Sequence, residues 1–131
     1  MIIGHEKSAP AQYTPLPDKR ILRCLLSPYL NEGLTQLAAG TTTMESGCTS
    51  EKHSHEEGEL FFVINGSGKF VENGEEAEFT RGTAIFSPPM NTHQMINNSE
   101  GELKVLWVLV PPGREKAIID NAKQFKGEQD L

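Results

Sequence analysis

Short runs of apolar, β-branched or alternating apolar and polar residues recur along the chain between turn-forming residues, and this pattern predicts an all-β protein. The runs lie at residues 21–26, 34–38, 41–44, 59–64, 69–72, 76–80, 84–86, 93–97 and 103–110. Asn65-Gly66 and Asn73-Gly74 each follow one of these runs or lie at its end, and Asn-Gly is a dipeptide that tight hairpin turns favour. Many short strands at such spacing are typical of a β-barrel or a β-sandwich.

The two ends of the chain depart from this pattern and divide it into three segments. Residues 1–19 contain three prolines and little periodicity, which predicts an N-terminal arm and not a helix. Residues 114–125 carry apolar side chains at helical spacing and predict a C-terminal helix. These side chains are Ala117, Ile118, Ile119, Ala122 and Phe125. The predicted organisation is an arm at 1–19, a barrel at 20–112, and a helix with a tail at 113–131.

The composition narrows the class of protein and its partners. A chain of 131 residues is expected to form one domain with a real core. The formal net charge of −6, without a basic cluster, argues against nucleic acid and anionic membranes as partners. The sequence shows no long apolar N-terminal segment and no run of membrane-spanning length, so we predict a cytoplasmic protein. Cys24 and Cys48 are then expected to be free thiols.

Three of the four histidines and one glutamate form the strongest chemical signal in the sequence. His53 and His55 are two residues apart, Glu59 follows four residues later, and His93 comes after the Pro88-Pro89 turn. Imidazole and carboxylate groups are good ligands for divalent first-row metals. For His53 and His55 alone, solvated loop histidines are the simpler interpretation. With Glu59 and His93 added from neighbouring strands, the set predicts one metal ion inside the barrel.

The alternation of side chains along two predicted strands supports this site. Glu59 shares a strand face with Phe61 and Val63, and His93 shares one with Met95 and Asn97. A carboxylate buried among apolar neighbours is costly without a partner, and a metal ion with three imidazoles would remove that cost. Each ligating imidazole is also expected to donate its other N–H to a nearby acceptor. The ligand types do not choose among iron, manganese, nickel, zinc and copper.

The frame around these residues resembles the cupin superfamily, in particular its small single-domain metal-binding members. One motif reads Gly47-x5-His53-x-His55-x3-Glu59-x6-Gly66, and the other reads Gly82-x5-Pro88-x-Met90-x2-His93-x3-Asn97. The second motif departs from the family pattern at one position, since a glycine is expected where Met90 stands. The resemblance implies a jelly-roll β-barrel in which His53, His55, Glu59 and His93 bind the metal. It implies no single reaction, because similar cupins include dioxygenases, isomerases, epimerases, decarboxylases, lyases and non-catalytic binding proteins.

Other polar residues are assigned weaker roles. Arg23 and Gln36 interrupt apolar runs and are candidate anchors for a substrate, or else lie at an edge or a subunit interface. Phe61 and Met95 are expected to line the pocket, and Trp107 is expected to pack with its N–H hydrogen-bonded. The run Glu72, Glu75, Glu76 and Glu78 predicts an exposed acidic face.

The predicted function is a metal-dependent, dioxygenase-like or lyase/isomerase-like enzyme that acts on a small hydroxylated or carboxylated molecule. The alternatives are a non-catalytic cupin that binds a ligand or a metal, and a barrel in which the metal only stabilises the fold. A homodimer is also expected, because apolar residues on the outer face of a barrel need a cover. The cupin resemblance points to the same assembly.

Overall fold

The computed structural model describes residues 1–122. In this part of the chain the elements are β1 (Ala11–Thr14), β2 (Arg20–Leu26), β3 (Ala38–Met44), β4 (Gly58–Asn65), β5 (Gly68–Glu72), β6 (Glu75–Phe79), β7 (Ala84–Ser87), β8 (His93–Ile96), β9 (Leu103–Val110) and the helix α1 (Lys116–Ala122). The predicted all-β class with a short C-terminal helix is confirmed. The predicted helical residue Phe125 and the tail at 123–131 lie outside the described residues.

Two antiparallel sheets pack their apolar faces against each other. The larger sheet has the strand order β1-β2-β3-β9-β4-β7, and the smaller one has the order β6-β5-β8. The core joins residues of both sheets, as in the contact between the rings of Phe61 and Phe70, whose centroids are 5.6 Å apart. The strands do not form one closed ring of hydrogen bonds, since β4 and β5 belong to different sheets.

The alternation read from the sequence is confirmed in the strands that carry the core. In β9 the buried side chains are Leu103, Val105, Trp107 and Leu109, with partly exposed residues between them. In β4, Phe61 and Val63 face inward, whereas the intervening Leu60, Phe62 and Ile64 are exposed. Burying one face of each strand removes apolar surface from water and fixes the register of the sheet.

Of the two Asn-Gly hairpins expected from the sequence, the structure confirms one and contradicts the other. Asn73 and Gly74 both have positive φ angles, of 47° and 86°, and they join the paired strands β5 and β6 by a two-residue turn. The prediction of a hairpin at Asn65-Gly66 is wrong, because β4 pairs with β9 and β7 and not with β5. The strand expected at residues 34–38 begins only at Ala38.

The N-terminal arm is more ordered than its prolines suggested. Its strand β1 pairs with β2, and helix α1 packs against both strands. The fully buried carboxylate of Glu115 anchors the start of α1, because it accepts hydrogen bonds from the Ser27 hydroxyl at 2.6 Å and from the Gly113 amide at 2.5 Å. The C-terminal segment is thereby fastened to the residues that follow β2.

Both cysteines are free and buried, as the sequence predicted. Burial, with a smaller effect of the Glu115 charge, raises the pKa of Cys24 to about 12. This thiol is therefore protonated and a poor nucleophile at neutral pH. Within residues 1–122, no helix has the length and apolar character needed to span a membrane. The cytoplasmic location stays a prediction.

Met90 occupies the position at which the second cupin motif has glycine. The backbone conformation of Met90 explains why glycine is favoured there. Its φ angle is +70°, in the left-handed region that costs a residue with a Cβ roughly 1–2 kcal/mol. Its side chain is exposed, so little packing opposes a change. We expect Met90→Gly to leave the free energy of unfolding unchanged or to raise it by up to about 1 kcal/mol. Urea unfolding followed by circular dichroism would test this, with Met90→Ala as the control that keeps a Cβ. A Met90→Gly protein less stable than Met90→Ala would contradict the prediction.

The outer surface of the larger sheet carries an apolar face. We define this outer apolar face by its exposed side chains, which are Leu60, Phe62, Ile64, Phe86 and Val110. It continues to β7, the edge strand of the sheet, and an apolar face beside an open edge suits a second copy related by a two-fold axis.

The homodimer stays a prediction, and the outer apolar face identifies the surface through which the two copies would associate. We expect a dimer mass in sedimentation equilibrium at micromolar concentration, and we expect Phe86→Lys to shift it toward the monomer because the substitution places a charge in the apolar face. Thr80→Lys, at another exposed position, is the control. A wild-type monomer would refute the dimer.

Candidate metal centre

Two strands and one loop bring the four predicted ligands together. Glu59 lies at the start of β4, and His93 is the first residue of β8. The loop before β4 is tied to β8 by a backbone bridge, in which the His53 amide donates to the His93 carbonyl at 3.1 Å and the reverse bond is 2.8 Å. One ligand atom from each of His53, His55, Glu59 and His93 lies within 4.8 Å of the other three. The structure thus brings the full predicted set together.

Backbone carbonyls hold the rings of two histidines in one tautomer. Nδ1 of His53 lies 2.8 Å from the carbonyl oxygen of Glu51, and Nδ1 of His55 lies 2.8 Å from that of Glu57. A carbonyl oxygen only accepts, so each Nδ1 must carry the hydrogen and donate it. The Nε2 atom of each neutral ring is then left with its lone pair free for a metal ion.

The third ring is oriented mainly by a side-chain relay. Nδ1 of His93 lies 3.0 Å from the hydroxyl oxygen of Ser87 and 3.3 Å from the carbonyl of Asn91. The Ser87 hydroxyl donates its one hydrogen to Oε1 of Glu72 at 2.5 Å, so it accepts from His93. Glu72 was expected on an exposed acidic face. Its neighbours Glu75, Glu76 and Glu78 are exposed as predicted, but Glu72 is partly buried and fixes the tautomer of His93 through Ser87.

The arrangement of lone pairs requires a positive charge at the centre. Oε1 of Glu59 lies 3.1 Å from Nε2 of His55 and 3.5 Å from Nε2 of His93. A carboxylate oxygen and an unprotonated Nε2 are both acceptors, and two acceptors at this distance repel each other. Either a proton on His55 or a metal ion facing all the Nε2 atoms removes the conflict. The Nε2 atom of His93 is buried and has no hydrogen-bond partner among the described residues, which favours the metal ion.

The pKa shifts describe the centre with a proton on Nε2 of His55 in place of a metal ion, and they show the same demand for positive charge. The hydrogen bond to Glu59 raises the pKa of His55, whereas burial lowers the pKa of His53. Burial acts to raise the pKa of Glu59, but the hydrogen bond from His55 and the proximity of His93 outweigh it and lower that pKa. Glu59 is therefore ionised at neutral pH, which is the form that binds a cation.

Aromatic rings form one wall of the centre. The ring of Phe70 stacks on His93 with centroids 5.7 Å apart and an interplanar angle of 18°, and Phe61 meets the same imidazole edge-on at 6.0 Å. Both phenylalanines are buried. Their rings restrict the rotation of His93 and keep water from that side, so charges in the centre interact more strongly than in solvent.

Ser87→Ala is expected to lower the metal affinity by about 10- to 100-fold, the usual cost of losing a partner that orients a ligating histidine. The substitution removes the relay from Glu72 and leaves only the longer contact to the Asn91 carbonyl. Competition with a chelator of known affinity would measure the change. Ser54→Ala is the control, because Ser54 lies between two ligands but is exposed. Equal affinities of Ser87→Ala and the wild type would show that the relay does not tune the site.

A cavity of about 300 Å³ opens beside the four ligands. Phe61 and Met95 line it, where the sequence placed them. Arg23 and Gln36 do not. Arg23 lies on the face of β2 opposite to the cavity-lining Arg20 and Leu22, and Gln36 is exposed before β3. Arg20 therefore replaces Arg23 as the cationic lining residue of β2.

Trp107 also lines the cavity, but its indole N–H is buried without a hydrogen-bond partner among residues 1–122, contrary to the satisfied N–H that was expected. The period of two along β2 was the signal that separates Arg20 from Arg23. This period assigns Arg20 to the cavity only once Leu22 is known to face inward.

Comparison with known proteins agrees with the fold and the motifs. The chain is 31% identical over 96 residues to an uncharacterised protein of Methanocaldococcus jannaschii, a match that covers 72% of this chain and 76% of the relative. Two solved structures share the fold at low identity. A predicted oxalate decarboxylase from Thermotoga maritima has a TM-score of 0.73 and 17% identity, and the match covers 85% of this chain and all of that one, 100%. The polyketide cyclase RemF from Streptomyces resistomycificus has a TM-score of 0.70 and 21% identity, and the match covers 86% of this chain and 80% of that one.

The family model described as cupin domain matches residues 40–109, which span the motifs quoted above. This range begins at Gly40 in β3 and ends at Leu109 in β9, so it contains every candidate ligand. The chain therefore belongs to the cupin family.

Proposed function

We propose that this cupin is a metal-dependent enzyme that acts on a small polar molecule bound in the cavity beside His53, His55, Glu59 and His93. One observation carries the proposal: three imidazoles, each with Nδ1 hydrogen-bonded, and one ionised carboxylate each place a ligand atom within 4.8 Å of the others. This donor set suits a divalent ion of iron, manganese, nickel, zinc or copper. When bound, such an ion would supply Lewis-acid or redox chemistry to a substrate oxygen.

The surrounding residues have roles that the geometry supports. Phe70 is buried against His93 and excludes water from one side of the centre, and the buried Phe61 and Met95 give the cavity an apolar wall. On the other side the cavity remains open to a ligand and includes polar side chains from β1, β2 and the loop before β4. A structural metal site closed on all sides by protein would not need such a space.

The fold does not select the reaction. The two solved neighbours are named as a decarboxylase and a cyclase, and one scaffold commonly supports many chemistries. Dioxygenase-like and lyase- or isomerase-like reactions therefore both remain within the proposal. The alternative is a non-catalytic cupin that binds a ligand or a metal, and it shares the same donor set.

Elemental analysis of protein purified without a chelator or an affinity metal tests the proposal first. We expect about one divalent transition-metal ion per chain, consistent with the one four-ligand cluster found among residues 1–122. The same sample, and samples reconstituted anaerobically with iron or another divalent metal, are then offered small hydroxy and carboxylic acids while oxygen uptake and product formation are followed. Turnover that requires the metal supports the proposed enzymatic function. Ligand binding without turnover by any metal form supports the non-catalytic alternative, and absence of metal binding refutes the metal-dependent enzyme.

A further inference from the structure

A partly buried arginine in the cavity has no ion-pair partner among residues 1–122. Arg20 lies at the start of β2 and lines the cavity, and its Nε donates to the carbonyl oxygen of Asp18 at 3.3 Å. None of the ion pairs formed within residues 1–122 includes Arg20. Burial lowers its pKa, although the charges of Asp18 and Glu51 oppose that shift. This guanidinium has lost water, and the Asp18 and Glu51 carboxylates act on it without forming an ion pair, so it is prepared to bind an anion.

Arg20 is close to the loop that carries the metal ligands. The charge of Glu51 acts on Arg20, and the carbonyl of the same residue accepts the hydrogen bond from His53. Arg20, His53, His55 and Glu59 all line one cavity. A molecule that contacts the metal centre therefore shares its space with the guanidinium.

A second unpartnered donor belongs to a residue that lines the same cavity. Trp107 is 3% exposed and lines the cavity, and its indole N–H has no hydrogen-bond partner in the described part of the chain. It lies opposite Phe61 in the β4–β9 pair, two residues along from the pair of Glu59 with Leu109, so it is a diagonal neighbour of Glu59. Because an indole N–H only donates, a ligand that satisfies it must present an acceptor oxygen or nitrogen.

The size and charge of the cavity limit the ligand further. A volume of about 300 Å³ corresponds to roughly ten water molecules at about 30 Å³ each. Two other charged residues of the lining are less suited to bind the ligand. The carboxylate of Glu115 is occupied by Ser27 and Gly113, and Arg114 is exposed.

On the basis of the proposed function, we propose that the cavity binds a small carboxylic acid with a second oxygen group. Arg20 pairs with the carboxylate, the indole N–H of Trp107 donates to an oxygen of the ligand, and the second oxygen group faces the metal centre. The arginine selects for the negative charge, and the metal centre selects for the second oxygen. The inferred substrate class is therefore hydroxy, oxo or dicarboxylic acids of low molecular weight.

Isothermal titration calorimetry on the metal-loaded protein tests this inference with glycolate, malonate and 2-oxoglutarate as probes. Malonamide, the neutral counterpart of malonate, serves as the ligand control. We expect at least one of the acids to bind and malonamide to bind at least tenfold more weakly than malonate. Arg20→Gln is expected to weaken binding by about 10- to 100-fold through loss of a charge-assisted hydrogen bond, and Arg20→Lys is expected to recover part of it.

The matched controls come from the same region of the chain. Arg23→Gln removes an arginine from the opposite face of β2 and is expected to leave the affinity unchanged. Trp107→Phe keeps an aromatic ring but removes the N–H, and we expect a loss of about 3- to 10-fold. Thermal unfolding of each variant verifies that it is folded before its affinity is interpreted.

Metal content measured on the same samples separates the two proposals. If the wild type holds the metal but binds none of the three acids, or binds them equally well as Arg20→Gln, the carboxylate site is refuted and the metal centre stands. If the protein holds no metal and Arg20→Gln still loses carboxylate binding, the proposed function fails and the anion site stands.

Discussion

Replacing His93 with alanine is expected to lower the metal affinity by more than about 100-fold, beyond the loss that follows when a partner outside the ligand set is removed. His93 is 3% exposed, and its Nε2 atom has no hydrogen-bond partner within residues 1–122. The fold should survive, because the bridge from residue 93 to His53 is made by backbone atoms that alanine retains. Elemental analysis and chelator competition would measure the effect.

His5→Ala is the matched control for this substitution. His5 is the fourth histidine of the chain, and it lies exposed in the N-terminal arm, where its Nδ1 accepts a hydrogen bond from the Lys7 amide. We expect this variant to bind metal like the wild type. A folded His93→Ala protein with unchanged stoichiometry and affinity would overturn the assignment of the four ligands.

Replacing Gly40 with alanine is expected to lower the free energy of unfolding by about 3 kcal/mol or more, at or above the upper end of the usual cost of overpacking. A Cβ at this position would overlap the main-chain oxygen of Arg23 and the six-membered ring of Trp107. Gly40 pairs with Cys24 on one side and with Trp107 on the other, in the middle of the larger sheet. Relief of the overlap therefore requires displacement of β2 or of the Trp107 ring.

Urea unfolding of Gly40→Ala and Gly101→Ala, each compared with the wild type, tests this expectation. Gly101 lies in the turn before β9, its φ is not in the left-handed region, and a Cβ there meets no atom within 4 Å. Its substitution is expected to be close to neutral, within about 0.5 kcal/mol. Similar midpoints for the two variants would show that the sheet accommodates a methyl group at Gly40 at little cost.

The strands could be predicted from the sequence where one face is buried and the other is not. Along β4 and β9 the alternation of buried and exposed residues repeats the apolar pattern that was read from the chain. The pairing of the strands was harder to predict from the sequence. Asn65-Gly66 has the residues of a hairpin turn, but β4 belongs to one sheet and β5 to the other. Burial against strands distant in the sequence decides which strands pair. Likewise, the proline-rich arm gains order only through its pairing with β2.

The ligands of the candidate site could be predicted because the motif spacing and the period of two both constrain them. The residues that orient and surround them could not. Ser87 and Glu72 lie on different strands, and only the folded chain places them beside His93. Arg20 and Arg23 lie on opposite faces of one strand, and which of them faces inward depended on a register that the sequence leaves open.

The way in which the three rings are held has a consequence for how the centre can change by mutation. His53 and His55 are oriented by main-chain carbonyls two residues away, and these carbonyls persist whatever side chains replace Glu51 and Glu57. Only His93 depends on a neighbouring side chain, through Ser87 and Glu72. Substitutions of the surrounding side chains therefore leave the orientation of His53 and His55 unchanged. Single substitutions at positions 72 and 87, in contrast, can alter the basicity of His93. Homologues that differ at these two positions would be the place to look for divergence in metal preference on an otherwise constant scaffold.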